Sequence, residues 1–263
     1  MSEAGDQRAL RLPPAYRLRV FDSVASTMDE ARRLAEAGEE DGTLVWAREQ
    51  TAGRGRLGRS WESPRGNLYL SLLLRPQCRP GEAAQLGFVA ALALGEAIGS
   101  VSPPINVTYK WPNDVLVNGK KAGGLLLESR STPEGELDWL ILGLGANVAH
   151  HPAETNYPAT SLHHEGVPPE VGEQDLLEAF ARYFLNWASR WLEEGFAPVR
   201  AAWLRHAERL GEPIEVRLPK ERLSGIFRDL DAEGHLLLEQ DGTVRRVAAG
   251  EIFPLEPAPG GGS

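Results

Sequence analysis

A chain of 263 residues with 42% apolar side chains has the material for one large core and a small companion domain. Its 37 acids against 28 bases, a net charge of −9, argue against a general nucleic-acid or anionic-membrane surface but leave room for local basic sites. Cys78 is the single cysteine, which excludes an internal disulfide or a cysteine-held metal and suits a cytoplasmic location; neither a leader-peptide pattern nor a run of ~20 apolar residues is read.

Residues 1–15 are polar, end in Pro13-Pro14 and read as a flexible lead-in, too short for an N-terminal DNA-binding module. Arg17–Phe21 alternates as a strand does. Thr27 with Glu30 reads as a capping box that opens a helix buried through Ala31, Leu34 and Ala35 and closed by Gly38. Ser26 and Thr27 thus stand at a helix N-terminus, where they either cap it or hold a polar ligand head.

Thr43–Ala47 is a second strand, and it leads into QTAGRGRLGRSWESPRGN, residues 50–67. Between Gly53 and Gly66 four arginines, Arg54, Arg56, Arg59 and Arg65, face one acid, Glu62. Glycines free such a backbone to approach a ligand, guanidinium groups seek phosphate or carboxylate, and Trp61 offers an apolar wall. The segment is either a loop that orders over an anion or a solvated basic turn. Leu68–Leu74 is the third strand, and residues 82–100, rich in Ala and Leu, read as one buried helix.

Residues 106–110 form a strand ending in KWPND, which places Asn113 and Asp114 at a break where polar side chains serve either a turn or a ligand. Val115-Leu116-Val117, Asn118-Gly119 and residues 120–128 give a hairpin. Lys121 follows its turn, and Gly123-Gly124 marks a bulge or a close approach of ligand or backbone. Residues 137–148 make a further apolar strand, interrupted by Gly143 and Gly145 and carrying Asn147 near its end. The 149–172 connection is long enough to be functional. Its His150-His151 and His163-His164 pairs lack the spacing of a zinc site. Two helices follow, Glu173–Glu194 and residues 196–210, and beyond Gly211 short strands separated by turns build a small antiparallel barrel.

The segments GRGRLGRSW, KWPNDVLVNGKKAGGLLLE, GLGANV and GIFRDLDAEGHLLL, in that order over residues 21–254, closely resemble the biotin protein ligases, which biotinylate carboxylase subunits. The resemblance implies an α+β fold: a mixed sheet with packed helices (residues 16–211), an SH3-like barrel (212–256) and a disordered tail (257–263). It implies the monofunctional type, without a DNA-binding module. Its implied substrates are biotin and ATP with Mg²⁺, its partner the biotin carboxyl carrier domain, with no DNA or membrane; exposed strands could pair with that domain or with a second copy in a homodimer. By position, biotin binding falls to Ser26, Thr27, Met28, Gln50, Gly53, Arg54, Gly55, Arg56, Trp61, Lys121 and Gly124, with Met28 where the family usually has Asn. Nucleotide binding falls to Arg56, Arg59, Asn113, Lys121, Ala146 and Asn147. Lys121 and Arg56 are the catalytic cations, and Asp114 is the acid near Mg²⁺ and the phosphates. The rival reading within the same fold is a lipoate ligase or octanoyl transferase, and one from another class is a non-catalytic biotin-sensing regulator.

Overall fold

Strand alternation sorts the apolar side chains onto the two faces of one sheet. The computed structural model describes residues 9–155 and 157–255; the expected tail and the first eight residues of the expected lead-in lie outside them. Strands β1 (Arg17–Phe21), β2 (Thr43–Ala47), β3 (Leu68–Leu74), β4 (Val107–Lys110), β5 (Asp114–Val117), β6 (Lys120–Ser131) and β7 (Leu137–Ala146) lie in the order β1-β2-β3-β7-β6-β5-β4. β1 and β2 pair in parallel and the other neighbours antiparallel, so the sheet is mixed.

On one face Leu44, Trp46, Leu70, Leu72, Leu125, Leu142 and Leu144 pack under helices α3 (Leu86–Val101), α4 (Glu173–Glu194) and α5 (Phe196–Leu204). On the other, Val45, Leu73, Trp139 and Ile141 meet Met28, Ala31, Leu34 and Ala35 of α1 (Thr27–Glu36). Each large side chain so buried contributes about 1.5–3 kcal/mol. Alternation carries Gly124 of β6 and Gly143 and Gly145 of β7 onto this second face, beside α1. With no side chains there, the sheet surface is bare, and the site forms over it.

The structure corrects several readings. Residues 82–100 are not one helix: α2 (Pro80–Ala83) is a separate turn, with Glu82 accepting from the Arg79 amide at 3.0 Å, and α3 begins after Gln85. Gln85 is held at the junction, donating to Ala232 O and accepting from the Trp191 indole. The stretch Pro80–Val101, with hydropathy 1.5, is long and apolar enough to cross a membrane by length and composition alone. In the fold it is mostly buried, packed against α4 and β6. The second C-terminal helix stops at Leu204 rather than 210, because residues 206–208 run beside β4, Tyr109 N donating to His206 O and Glu208 N to Tyr109 O. The capping box on Thr27 is also replaced: Ser26 is the N-cap, its Oγ accepting from Met28 N, which frees Thr27 for other partners. In the expected lead-in, Leu10 and Leu12 pack on the core and the Arg11 amide donates to Glu178.

Strands β8 (Pro213–Arg217), β9 (Arg222–Leu230), β10 (Leu236–Gln240), β11 (Thr243–Val247) and β12 (Glu251–Pro254) form a second, antiparallel sheet in the order β11-β10-β9-β8-β12. Its apolar residues are continuous with the main core, and the Trp111 indole donates to Gly234 O at 3.1 Å. The small sheet is thereby fixed against the KWPND turn, with β12 facing the cavity described next.

Candidate active site

A cavity of about 900 Å³ opens over the bare stretch of sheet, and its two ends differ in chemistry. At one end Ser26, Thr27, Met28 and Gln50 line it. Ser71 Oγ donates to Thr27 Oγ1, Thr27 N and Oγ1 donate to Gln50 Oε1, and Gln50 Nε2 donates to Ser63 Oγ. These are uncharged donors and acceptors held in a fixed row, suited to a neutral polar head. Met28, 4% exposed, supplies an apolar wall beside them.

Over the floor lies residues 53–61 as a small hairpin. Trp61 N donates to Gly53 O at 2.9 Å and Gly55 N to Arg59 O at 2.7 Å; Leu57 at the tip has φ 55 and is 68% exposed. A Cβ on Gly53 would stand 2.4 Å from Trp61 O, so only glycine allows the two strands to close. The Trp61 indole lies on the glycine floor, its Nε1 2.6 Å from where a Cβ on Gly145 would be and its Cζ3 3.0 Å from one on Gly124. The hairpin arginines tie it to separate parts of the chain. Arg54 pairs with Asp29 (2.7 Å) and Glu128 (3.3 Å), Arg56 donates to Asn113 Oδ1 and Gly250 O (both 3.2 Å), and Arg59 pairs with Glu251 (2.7 Å).

The other end is cationic. Lys121 Nζ lies 2.6 Å from Asp114 Oδ1 and 5.3 Å from the Trp61 ring centroid, and Lys110 Nζ lies 3.6 Å from Asp114 Oδ2. β5 and β6 pair across a register shift between Val115 and Leu116, and this sets Asp114 opposite Gly124 while Lys121 pairs with Leu116. Burial lowers the Lys110 ammonium pKa, opposed by the Asp114 charge; burial likewise lowers that of Arg56, opposed by Asp114 and Glu251. A guanidinium stays charged regardless.

Asp114 was expected near Mg²⁺ and the phosphates, indirectly or through the phosphates, and both its oxygens face ammonium groups. The donor set therefore does not fit a protein-held divalent ion at this carboxylate. Among the described residues, Asp231, Glu233 and His235 of the small sheet lie close enough to share an ion, yet Arg246 pairs with both carboxylates.

The connection after β7 completes the wall with Pro152, Ala153, Glu154, Thr155, Tyr157 and Ala159. It is tied down where Lys121 N donates to Pro158 O and Thr160 N to Lys121 O. Glu165 clasps it to the β5–β6 hairpin, accepting from Asn118 (2.7 Å), Thr160 (2.6 Å) and Lys120 (3.1 Å). Burial alone would raise this carboxyl; the three hydrogen bonds and the Lys120 charge override it and bring it down to about 2, from an ordinary 4.5. A depressed folded-state value stabilises the fold above the unfolded value and loses that contribution as pH falls through the folded one. Glu165→Gln is therefore expected to lower the denaturant midpoint by a constant amount above pH 4.5, with the difference from wild type shrinking as pH falls toward 2. A difference independent of pH would show that the charge does not matter.

Most positions expected from the sequence line this one cavity: Ser26, Thr27, Met28, Gln50, Arg54, Gly55, Arg56, Arg59, Trp61, Asn113, Asp114, Lys121, Gly124 and Asn147. Gly53 and Ala146 do not. Gly53 sits at the hairpin base, and Ala146 is buried in the core on the α3 face. Arg54 lines the rim with its guanidinium already paired to two acids. Sequence reading missed Lys110, Tyr157, Glu251 and Phe253, all at the cationic end. Lys110 was visible within KWPND; the other three come from a loop and a barrel strand, and no local pattern joins them.

The Biotin/lipoate A/B protein ligase family matches residues 12–205, and the Biotin protein ligase C terminal domain matches residues 210–253. A biotin–[acetyl-CoA-carboxylase] ligase of Paracoccus denitrificans is 41% identical over 233 residues, covering 87% of this chain and 96% of that one. One from Mycobacterium tuberculosis is 32% identical, covering 95% and 96%. The structure of the Aquifex aeolicus biotin protein ligase in complex with biotin and ATP aligns with a TM-score of 0.74 at 29% identity, covering 90% of this chain and 97% of that one. Two family matches that together span both sheets, and relatives of nearly equal extent, show that this chain belongs to the biotin protein ligase family.

Proposed function

We propose that the chain joins biotin to a protein in two steps, both in the cavity described above. A biotin carboxylate oxygen attacks the α-phosphorus of ATP, pyrophosphate leaves, and biotinyl-5′-AMP forms. The amine of a lysine on a biotin carboxyl carrier domain then attacks the acyl carbon, AMP departs with the bonding pair, and the amine loses its proton. The acceptor is that carrier domain, the compartment is the cytoplasm, and neither DNA nor membrane takes part.

The observation that carries this reading is the polarity of the cavity: uncharged hydrogen-bonding groups at one end, converging cations at the other. Biotin has that same polarity, a neutral ureido ring and an anionic tail. Thr27 and Gln50 face the ring. Lys121 and Arg56 meet the carboxylate and α-phosphate, where their charge opposes the repulsion between two anions and the further charge that develops in attack. Asn113 and Asn147 lie on the nucleotide side. The mixed anhydride is short-lived in open water, and the 53–61 hairpin, whose Trp61 lies against the glycine floor, walls it off from solvent. A divalent ion that enters does so on the nucleotide phosphates, since Asp114 is taken.

The family description also covers lipoate-handling enzymes, whose acyl heads present no ureido group. Such a head offers no partner to this row of polar groups, and sites built to hydrogen-bond their substrate reject analogues that lack those groups by roughly 10⁴–10⁵. The purified chain is expected to exchange labelled pyrophosphate into ATP when biotin is present. Exchange with lipoate or octanoate and none with biotin would overturn the assignment.

A further inference from the structure

One buried cation at the site has no role in the mechanism above. Lys110 ends β4 at the cavity wall and is 6% exposed. Its ammonium lies 4.6 Å from the centroid of the Tyr157 ring, 5.1 Å from that of Phe253 and 3.6 Å from Asp114 Oδ2. Burying an ammonium is costly even with aromatic faces and a carboxylate around it. An apolar side chain of similar length would fill the same space without the cost of burying an ammonium, and Asp114 would keep Lys121 at 2.6 Å as its partner. Packing therefore gives no reason for a lysine here.

Charge does give one. Lys121 alone on Asp114 would form a neutral pair, with little field left for an incoming anion. With Lys110 on the second oxygen, the three side chains carry one net positive charge beside the Arg56 guanidinium, while Glu251 at the same end is balanced by Arg59. Lys110 also sits where three segments distant in sequence meet: β4 itself, the connection bearing Tyr157, and the barrel strand β12 bearing Phe253. We infer that Lys110 is a positioning residue for adenylate formation: it shares Asp114 with Lys121, so that the Lys121 ammonium meets the carboxylate and α-phosphate with its charge uncancelled. This rests on the adenylation reaction proposed above.

The test is biotin-dependent pyrophosphate exchange by wild type, Lys110→Met and Lys110→Arg, with biotin affinity measured by calorimetry without nucleotide and Tm measured alongside. Lys110→Met is expected to lose roughly tenfold or more in kcat/KM for ATP, a smaller effect than loss of a direct contact. Its biotin affinity should stay within about threefold and its Tm should not fall, because the polar head is bound at the far end of the cavity, an apolar side chain fits the aromatic cage, and Asp114 keeps Lys121 as its partner. Lys110→Arg keeps the charge against the two aromatic faces, with a bulkier planar head, and should recover part of the activity. An active Lys110→Met, or a Lys110→Arg as impaired as Lys110→Met with Tm intact, overturns the inference while leaving the reaction standing. A wild type with no biotin-dependent exchange removes the reaction itself, and the inference with it.

Discussion

Lys121→Ala is expected to reduce biotin-dependent pyrophosphate exchange by on the order of 10²–10³-fold, the loss typical when one fixed donor to a developing anion is removed from an enclosed site. The fold should not change. The Lys121 backbone is held by bonds to Pro158 O and from Thr160 N, which do not involve the side chain, and its ammonium contacts Asp114 and the face of Trp61 rather than the core. The substitution leaves Asp114 with Lys110 as its remaining ammonium neighbour, so the cluster becomes neutral where the acid must approach. Exchange kinetics and thermal melting check both halves of the statement. Unimpaired exchange by a folded Lys121→Ala would mean that the charge acts elsewhere.

The second large effect is expected from a single methyl group. A Cβ on Gly145 would stand 2.6 Å from Trp61 Nε1, 2.7 Å from Cε2 and 3.0 Å from Cζ2, distances at which the rigid indole must leave the floor. Because Trp61 N is bonded to Gly53 O, displacing the ring lifts the hairpin base with it. Gly145→Ala should therefore both slow adenylate formation, by on the order of 10²-fold for a misplacement near 1 Å, and speed the hydrolysis of whatever adenylate forms. Gly172→Ala, where an added Cβ meets nothing within 4 Å, serves as the control and should be silent. A Gly145→Ala enzyme that retains adenylate as wild type does would contradict the enclosing role given to Trp61.

What could be read from the sequence, and what could not, divides along a physical line. Alternation located β1 and the NG turn the β5–β6 hairpin, because local side-chain patterning decides those elements; β2 and β3, buried along almost their whole length, do not alternate. Gly124 was legible as a place of close approach, whereas Gly143 and Gly145 read only as interruptions of a strand; that the three lie together on one face of adjacent strands needed the β6–β7 register. Helix limits failed where tertiary partners set them, as at Gln85 and at residues 206–208. Ser26, not Thr27, became the cap because Thr27 is claimed by Gln50 and Ser71, the latter 44 positions away. The cationic end was half legible. Lys121, Arg56 and Asp114 carry motifs, whereas Tyr157, Glu251 and Phe253 are brought in by folding of distant segments. Likewise, the arginines of the hairpin looked equivalent in sequence. In the fold Arg54 and Arg59 are paired to acids, and Arg56, hydrogen-bonded to Asn113 and Gly250 O, is the one the mechanism uses.

In the mechanism proposed, the hairpin and the Lys121 cluster together make and then shelter an acyl phosphate anhydride. The most direct measurement of this is a retention experiment: the chain is mixed with biotin and ATP in the absence of any carrier domain, desalted rapidly, and the bound nucleotide is identified by mass spectrometry over time. We expect about one biotinyl-5′-AMP per chain, persisting far longer than the free anhydride and discharged as AMP when a carrier domain is added. Continuous AMP release without carrier, and no adenylate recovered with the protein, would contradict that mechanism.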